Sequence, residues 1–311
     1  MRRARMLDDA RRFFAERSVL EVDTPLLSRS TVSDPQIESI AASPGRKPGP
    51  PYFLQTSPEF FMKRLLCAGY PDIYQICKAF RDGEAGRRHS PEFTLVEWYR
   101  RGYGLRQMME ETTAFIAALI EPRCVTAPPG FIEYHDAFGK YADLDPQQSP
   151  LATLAEAAGA DQRMLRSLGD DRDAWLDLLL SLRVVPQFAS GRLTVLYHYP
   201  ASQAALARPC PANAALADRF EVFYGDLELA NGFVELQDAD EQARRFEANQ
   251  SLRRQRNQPA HSTDRRLIAA LRAGLPDCAG VAVGFDRLLM IDGISEDIRQ
   301  VQAFAFDEDD A

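Results

Sequence analysis

The sequence lacks most of the features that mark common metal, nucleotide and membrane proteins. No apolar run approaches the roughly 18–20 residues that a membrane-spanning helix needs; the best candidate, Ala114 to Ile120, is far too short. The basic opening, MRRARMLDDARRFF, has no apolar stretch and no small-residue cleavage site, so it does not read as a signal peptide. Cys67, Cys77, Cys124, Cys210 and Cys278 are odd in number, scattered and without a CxxC pair. That argues against structural zinc and fits a reducing cytoplasm. His89, His135, His198 and His261 form no HxxxH or HExxH arrangement, which speaks against a histidine-based metal centre. The glycine loops GxxxxGK[ST] and GxGxxG are missing, as is GxSxG. A nucleotide bound here must therefore be held by side chains.

What is present is ordinary for a globular chain: 311 residues, 45% hydrophobic and 26% charged, enough for one large domain or two small ones. Lys+Arg 37 against Asp+Glu 45 gives a formal charge of −8, which argues against coating nucleic acid through bulk charge.

Apolar periodicity predicts an amphipathic helix over 4–18, carrying Met6, Leu7, Ala10, Phe13 and Phe14, then a strand over 19–25 that stops at Pro25. Residues 43–51 read as a loop and 52–56 as a strand. Ser57 reads as the N-cap of a helix over 59–68, with Pro58 in its first turn. Strands are expected from 73 and over 93–99 as an antiparallel pair, and helices over 105–120 and most of 150–183. Residues 193–197 read as a strand, and 219–225 with 227–230 as a hairpin turning at Gly225-Asp226. A charged helix over 238–256, a strand over 280–284 and an apolar helix over 287–292 follow. Strands linked by hairpins favour an α+β fold, an antiparallel sheet flanked by helices, over a doubly wound parallel sheet.

Three segments carry chemistry. Phe80 to Phe93 holds Arg81, Arg87, Arg88 and His89 near an aromatic; guanidinium forks suit phosphate oxygens, and Phe93 could stack on a base. Glu221, Glu228 and Glu235 recur every seven residues and could converge on one side of extended strands, where hard carboxylate oxygens suit Mg2+ or a substrate ammonium. Gly280 to Arg287 is a glycine-bearing apolar strand that delivers one arginine at a helix start, and Gly284 would let a flat ligand approach the backbone. Taken alone, the first segment reads better as a solvated loop and the second as exposed glutamates, and the third reads also as a buried strand–helix joint with a surface arginine.

In their order and spacing these segments resemble the catalytic domains of class II aminoacyl-tRNA synthetases. Arg11–Pro25 is similar to motif 1, Phe80–Tyr99 to motif 2 and Gly280–Arg287 to motif 3. TSPEFFMKRLL, HSPEFTLVEWY and ELANGFVEL resemble the lysine branch. The motif 1-like segment begins almost at Met1, which implies no N-terminal OB domain for reading an anticodon. In that, and in YHYPASQAALA, RFEANQSLRR and GLPDCAGVAVGFDRL, the chain resembles the stand-alone family that ligates (R)-β-lysine to elongation factor P. The resemblance implies one catalytic domain over 1–311 with a helical insertion at about 145–190, a cytoplasmic homodimer, ATP and Mg2+ as cofactors, and no membrane.

The resemblance also implies roles. Arg81 would hold the α-phosphate, and Phe93 with Arg287 would sandwich the adenine. Asp82, Gly83 and Glu84 belong to the nucleotide loop, His89 and Ser90 would lie near the outer phosphates, and Leu229 and Gly284 would line the nucleotide. Glu221 and Glu228 match Mg2+ ligands. Ser57, Pro58, Glu59, Glu97, Tyr99 and Glu235 match the amino-acid pocket, with Glu235 facing the distal amine of lysine or β-lysine. Two positions depart from the family pattern: Gly83 stands where the motif 2 run has glutamate, with Glu84 next to it, and Ser90 where it has asparagine. Ala282 stands where lysyl-tRNA synthetases have glycine.

Two other functions stay open at this level. One is a minimal synthetase that lysylates tRNA, against which the net charge and the missing anticodon domain weigh. The other is a non-catalytic amino-acid-binding regulator, against which Arg81, Glu221, Glu228 and Arg287 weigh.

Overall fold

The computed structural model describes residues 1–43, 45, 51–204, 206–259 and 263–306. The chain divides into two compact units, Met1–Glu121 with Val234–Ala311, and Pro122–Phe233. The first unit opens with α1 (Arg2–Ala15), whose Met6, Ala10, Phe13 and Phe14 are buried at helical spacing. Phe14 stacks on Tyr74 at 4.2 Å and meets Trp98 and Phe115 edge-on or tilted. Burying aromatic side chains of this size stabilises by about 1.5–3 kcal/mol each.

β1 (Leu20–Glu21) is shorter than the strand expected over 19–25. Val22 still donates to the Tyr74 carbonyl at 2.8 Å, but Thr24 turns its hydroxyl to the Gln75 side chain, and Pro25 has no N–H to give. A small antiparallel sheet of β2 (Leu27–Ser28), β3 (Ala41–Ala42) and β4 (Tyr52–Leu54) follows, with β4 in the middle. The loop expected over 43–51 falls largely outside the described residues. Next come α2 (Glu59–Cys67), β5 (Ile73–Phe80), β6 (Glu92–Arg101) and α3 (Leu105–Leu119). β1 runs parallel to β5, and β5 and β6 form the expected antiparallel pair. β6 is buried on both faces from Thr94 to Arg100.

The second unit contains β7 (Gly130–Glu133) and α4 (Tyr134–Ala142). The helical stretch resolves into α5 (Leu151–Ala157), α6 (Gln162–Leu168) and α7 (Arg172–Leu179), the last continuing as a π-helical turn over Leu180–Val184. Asp161 and Asp171 cap α6 and α7 by accepting from their first-turn N–H groups. β8 (Leu193–Pro200), β9 (Pro209–Cys210), β10 (Asn213–Tyr224) and β11 (Leu227–Val234) complete it. β8, β10 and β11 are antiparallel neighbours, and β7 joins β8 in parallel. The β10–β11 turn is Gly225-Asp226, with Gly225 at a φ of 55° as a two-residue hairpin requires. Trp175, Tyr134, Phe138, Phe188 and Tyr199 form the core.

The chain then returns to the first unit with α8 (Ala239–Gln255), α9 (Arg265–Gly274), β12 (Cys278–Gly284) and α10 (Phe285–Gly293). β12 pairs antiparallel with β6, placing Gly280 opposite Tyr99 and Ala282 opposite Glu97. α10 starts two residues earlier than the expected 287 because Gly284 is already its N-cap. The architecture is α+β, with antiparallel-dominated sheets flanked by helices in each unit. No helix among the described residues is long and apolar enough to cross a membrane.

Candidate active site

The first group of side chains forms around α2. Its N-cap is Pro58, one residue later than expected; Ser57 Oγ accepts only a long 3.4 Å bond from the Glu59 N–H. Proline suits that position because the first helical turn leaves N–H groups without intrahelical partners. Glu59 thus sits at the positive helix end, and Lys63 follows one turn later on the same face. Lys63 Nζ lies 2.6 Å from Glu59 Oε1 and 2.5 Å from Glu235 Oε2.

β6 contributes Glu97 and Tyr99, adjacent on one strand face, and the Tyr99 hydroxyl donates to Glu97 Oε1 at 2.7 Å. β12 contributes Gly280. A Cβ there would lie 2.4 Å from the Tyr99 ring and 2.7 Å from Glu235 Oε1, so only glycine lets the ring and the carboxylate come this close. Glu235 itself follows β11, and its N–H donates to the Cys278 carbonyl at 3.0 Å. Glu235 Oε1 is buried and accepts no hydrogen bond among the described residues. Burial, with the charges of Glu59 and Glu235 adding to it, pushes Glu97 up to about 8. Burial, with Glu59 adding and Lys63 opposing, pushes Glu235 up to about 8 as well.

The second group lies where β5 ends. The Arg81 guanidinium sits 5.1 Å above the Phe93 ring and 3.6 Å from Glu84. Arg81 Nε is buried with no hydrogen-bond partner among the described residues, a donor suited to an incoming anion. Gly83 has a φ of 74°, a left-handed conformation that disfavours glutamate there, and its N–H bonds to Asp82 Oδ1 at 3.0 Å. Glu84 faces Arg81 instead of open space. Ser90 is buried, whereas His89 is exposed and lies 2.8 Å from Arg287 Nη2. The cation over Phe93 is therefore Arg81, and Arg287 reaches the motif 2-like loop. A Cβ on Gly284 would rest at 3.5 Å on the Arg287 side chain, so that stem covers the glycine.

The second unit holds the remaining predicted pair. Strand alternation alone would place Glu228 opposite Tyr224, on the other face from Glu221. A register shift makes Glu228 pair with Phe223 while Glu221 pairs with Asn231, so Leu229 is an extra residue. That bulge brings Glu228 to the Glu221 face and buries Leu229. Tyr199 donates to Glu221 Oε2 at 2.6 Å and Arg219 to Oε1 at 2.6 Å. Burial, opposed by Arg219 and reinforced by Glu228, pushes Glu221 up to about 7. Glu221, raised in this way and with a second carboxylate beside it, fits a divalent cation, whose charge would offset its burial. Elsewhere in the unit, ligand atoms of His198, Cys210 and Asp218 lie within 4.8 Å of one another, a grouping that spacing along the chain did not reveal. Asp218 is already paired with Arg208 at 2.8 Å.

The profile of the tRNA synthetases class II (D, K and N) matches residues 1–308. The chain belongs to that family. This class II synthetase-family chain is similar to the elongation factor P–(R)-β-lysine ligases of Klebsiella pneumoniae and Salmonella paratyphi A. Each is 42% identical over 311 residues, covering 99% of this chain and 94% of the relative. As a family member it is an ATP-dependent ligase, and the expected α+β fold is the fold of the family.

Within this class II synthetase-family chain the structure brings Glu59, Glu97, Tyr99 and Glu235 together. It also gathers Arg81, Asp82, Gly83, Glu84, His89, Phe93 and Arg287 around one loop. Three residues escaped the sequence reading. Lys63 was signalled only by its position four residues after Glu59. Tyr199 and Arg219 hold Glu221, and nothing in their own spacing marks them.

Proposed function

We propose that the chain activates (R)-β-lysine with ATP and transfers the acyl group to a lysine side chain of elongation factor P. The observation that carries this reading is the charge of the Glu59–Glu97–Glu235 pocket. Three carboxylates with one internal ammonium leave two negative charges when ionised, which suits a substrate with two ammonium groups. A neutral side chain would leave the Glu235 carboxylate buried without compensation, which is costly. Similarity to elongation factor P–(R)-β-lysine ligases along 99% of the chain supports the same acceptor.

The chemistry needs orientation more than proton transfer. A substrate carboxylate oxygen attacks the α-phosphorus of ATP, the bond to the bridging oxygen breaks, and pyrophosphate leaves. The carboxylate is already ionised, so no general base is required. Arg81, with its unpartnered Nε, is placed to bind the α-phosphate, where negative charge builds. Phe93 offers the adenine a ring face, and Arg287 a second cationic surface. His89 and Ser90 are assigned to the outer phosphates, and the Gly284 and Leu229 segments to the nucleotide. Glu221 and Glu228 are the assigned Mg2+ ligands; bound Mg2+ supplies positive charge to a polyphosphate. In the second step the neutral amine of the acceptor lysine attacks the acyl carbon. An amide forms, AMP leaves, and the amine proton passes to solvent or phosphate. A homodimer through the segment after α1 is supported by exposed Leu20, Leu26 and Leu27.

The deciding experiment incubates the protein with Mg-ATP and either (R)-β-lysine or L-lysine, with elongation factor P and lysine tRNA as separate acceptors. A mass gain of one lysyl unit on elongation factor P with unlabelled tRNA is expected. Label on tRNA alone points to a minimal synthetase. No label on either acceptor and no ATP–pyrophosphate exchange points to a binding protein.

A further inference from the structure

Lys63 has an ammonium buried between two carboxylates, with 2% of its side chain exposed against 0% for Glu235. Helix geometry explains its partnership with Glu59, four residues before it. It does not explain the bond to Glu235, which comes from a distant part of the chain. For stability alone, packed apolar side chains in place of the whole Glu59–Lys63–Glu235 group would serve as well, since replacing all members of a buried ion cluster by hydrophobic groups is commonly neutral or favourable. Neither oxygen of Glu235 accepts a hydrogen bond of good geometry among the described residues, but Oε2 has the Lys63 ammonium against it while Oε1 lies over Gly280. The groups that act on Glu235 or share its pocket come from three elements: Glu59 and Lys63 from α2, Glu97 and Tyr99 from β6, and Cys278 from β12. Lys63 is the one cation among them.

We infer that Lys63 is a positioning and specificity-determining residue of the amino-acid site. It fills one of two cation places around the three carboxylates and turns Glu235 so that Oε1 receives the distal ammonium of the substrate. The second place then admits a single primary ammonium at a defined reach, and neutral chains find no partner there. This rests on the function proposed above. It also accounts for a lysine buried beside the acids in a pocket read as lysine-binding.

The test measures ATP–pyrophosphate exchange for wild type, Lys63→Met and Lys63→Ala with (R)-β-lysine and L-lysine, after thermal melts confirm folding. In Lys63→Met, KM for the amino substrate should rise about ten-fold or more, while kcat and KM for ATP stay within about two-fold, the mark of lost positioning in the ground state. Lys63→Ala should behave alike and be rescued by n-propylammonium but not by 1-propanol. An unchanged KM in folded Lys63→Met, or equal rescue by the two additives, overturns the inference and leaves the proposed function standing. No exchange by wild type with either amino acid overturns both. If neither variant folds, 15N-lysine-labelled wild type decides. The Lys63 ammonium signal, assigned through Lys63→Arg, should shift on adding the amino substrate, and a stationary signal overturns the inference.

Discussion

The two acidic clusters of this chain differ in the cation that accompanies them. In the first unit, Glu59, Glu97 and Glu235 surround a lysine ammonium, a compact charge on a flexible stem. One oxygen of Glu235 is taken and the other is left over glycine. In the second unit, Glu221 meets a guanidinium and a phenol, so each of its oxygens already has one donor and Glu228 lies beside it. Each oxygen there keeps a second lone pair for a hard cation. Burial raises the affinity for protons in both clusters, so burial alone does not tell the ligands apart. The leftover acceptor does: a single directed oxygen suits an ammonium, whereas a like-charged pair suits a divalent ion.

The comparison breaks most sharply at Glu235. Glu235→Gln should lower kcat/KM for the amino substrate in pyrophosphate exchange by about 100-fold or more, because disrupting a buried ion pair costs about 3–5 kcal/mol. KM for ATP should not move. Glu221→Gln is expected to slow exchange by roughly 10–100-fold and to raise the Mg2+ concentration needed for half the rate, with KM for the amino acid unchanged. Should Glu221→Gln raise that KM as much as Glu235→Gln does, the two clusters are not separate in function.

A smaller effect sharpens the contrast through pH. Burial raises Glu97 and Glu235 from 4.5 to about 8, so in the free protein both hold a proton to higher pH than an ordinary carboxyl does. Binding a diammonium substrate needs the ionised form, so KM should fall several-fold between about pH 6.5 and pH 8.5. The stability of the free protein has the opposite sign. A carboxyl raised on folding stabilises fully below its unfolded pKa of 4.5, and that contribution is lost as pH climbs to about 8. Melting temperature without substrate should therefore drop over this range, while the rise on adding substrate grows. A pH-independent substrate shift would contradict the three-carboxylate account.

Much of the site was legible because its residue types and order are linear properties. Arg81, Phe93, Glu97 and Arg287 lie on the strands, loop and helix start where motif order puts them. The seven-residue spacing of Glu221, Glu228 and Glu235 was a poorer guide. Glu235 lies beyond the strand and turns to Lys63, and Glu228 reaches the Glu221 face only because Leu229 is extra. The sequence reading contains no β7, α4 or α9. β7 is four residues long and exists by pairing with β8, and short strands carry little periodicity of their own. By local preference Ser57 reads as the cap that Pro58 takes in the fold, a shift of one residue that such preference does not resolve.

The sequence by itself determined the alternation of helices and hairpin strands, the family and the set of charged residues available for chemistry. Those follow from periodicity and from the order of residue types, which are written along the chain. Only the tertiary structure decided which oxygen of Glu235 is left open, which cation covers Phe93, and why glycine stands at 83 and 280. The physical reason is that protonation, ion pairing and close approach depend on distances between segments far apart in sequence, and Lys63 gains its second carboxylate only when the chain has folded.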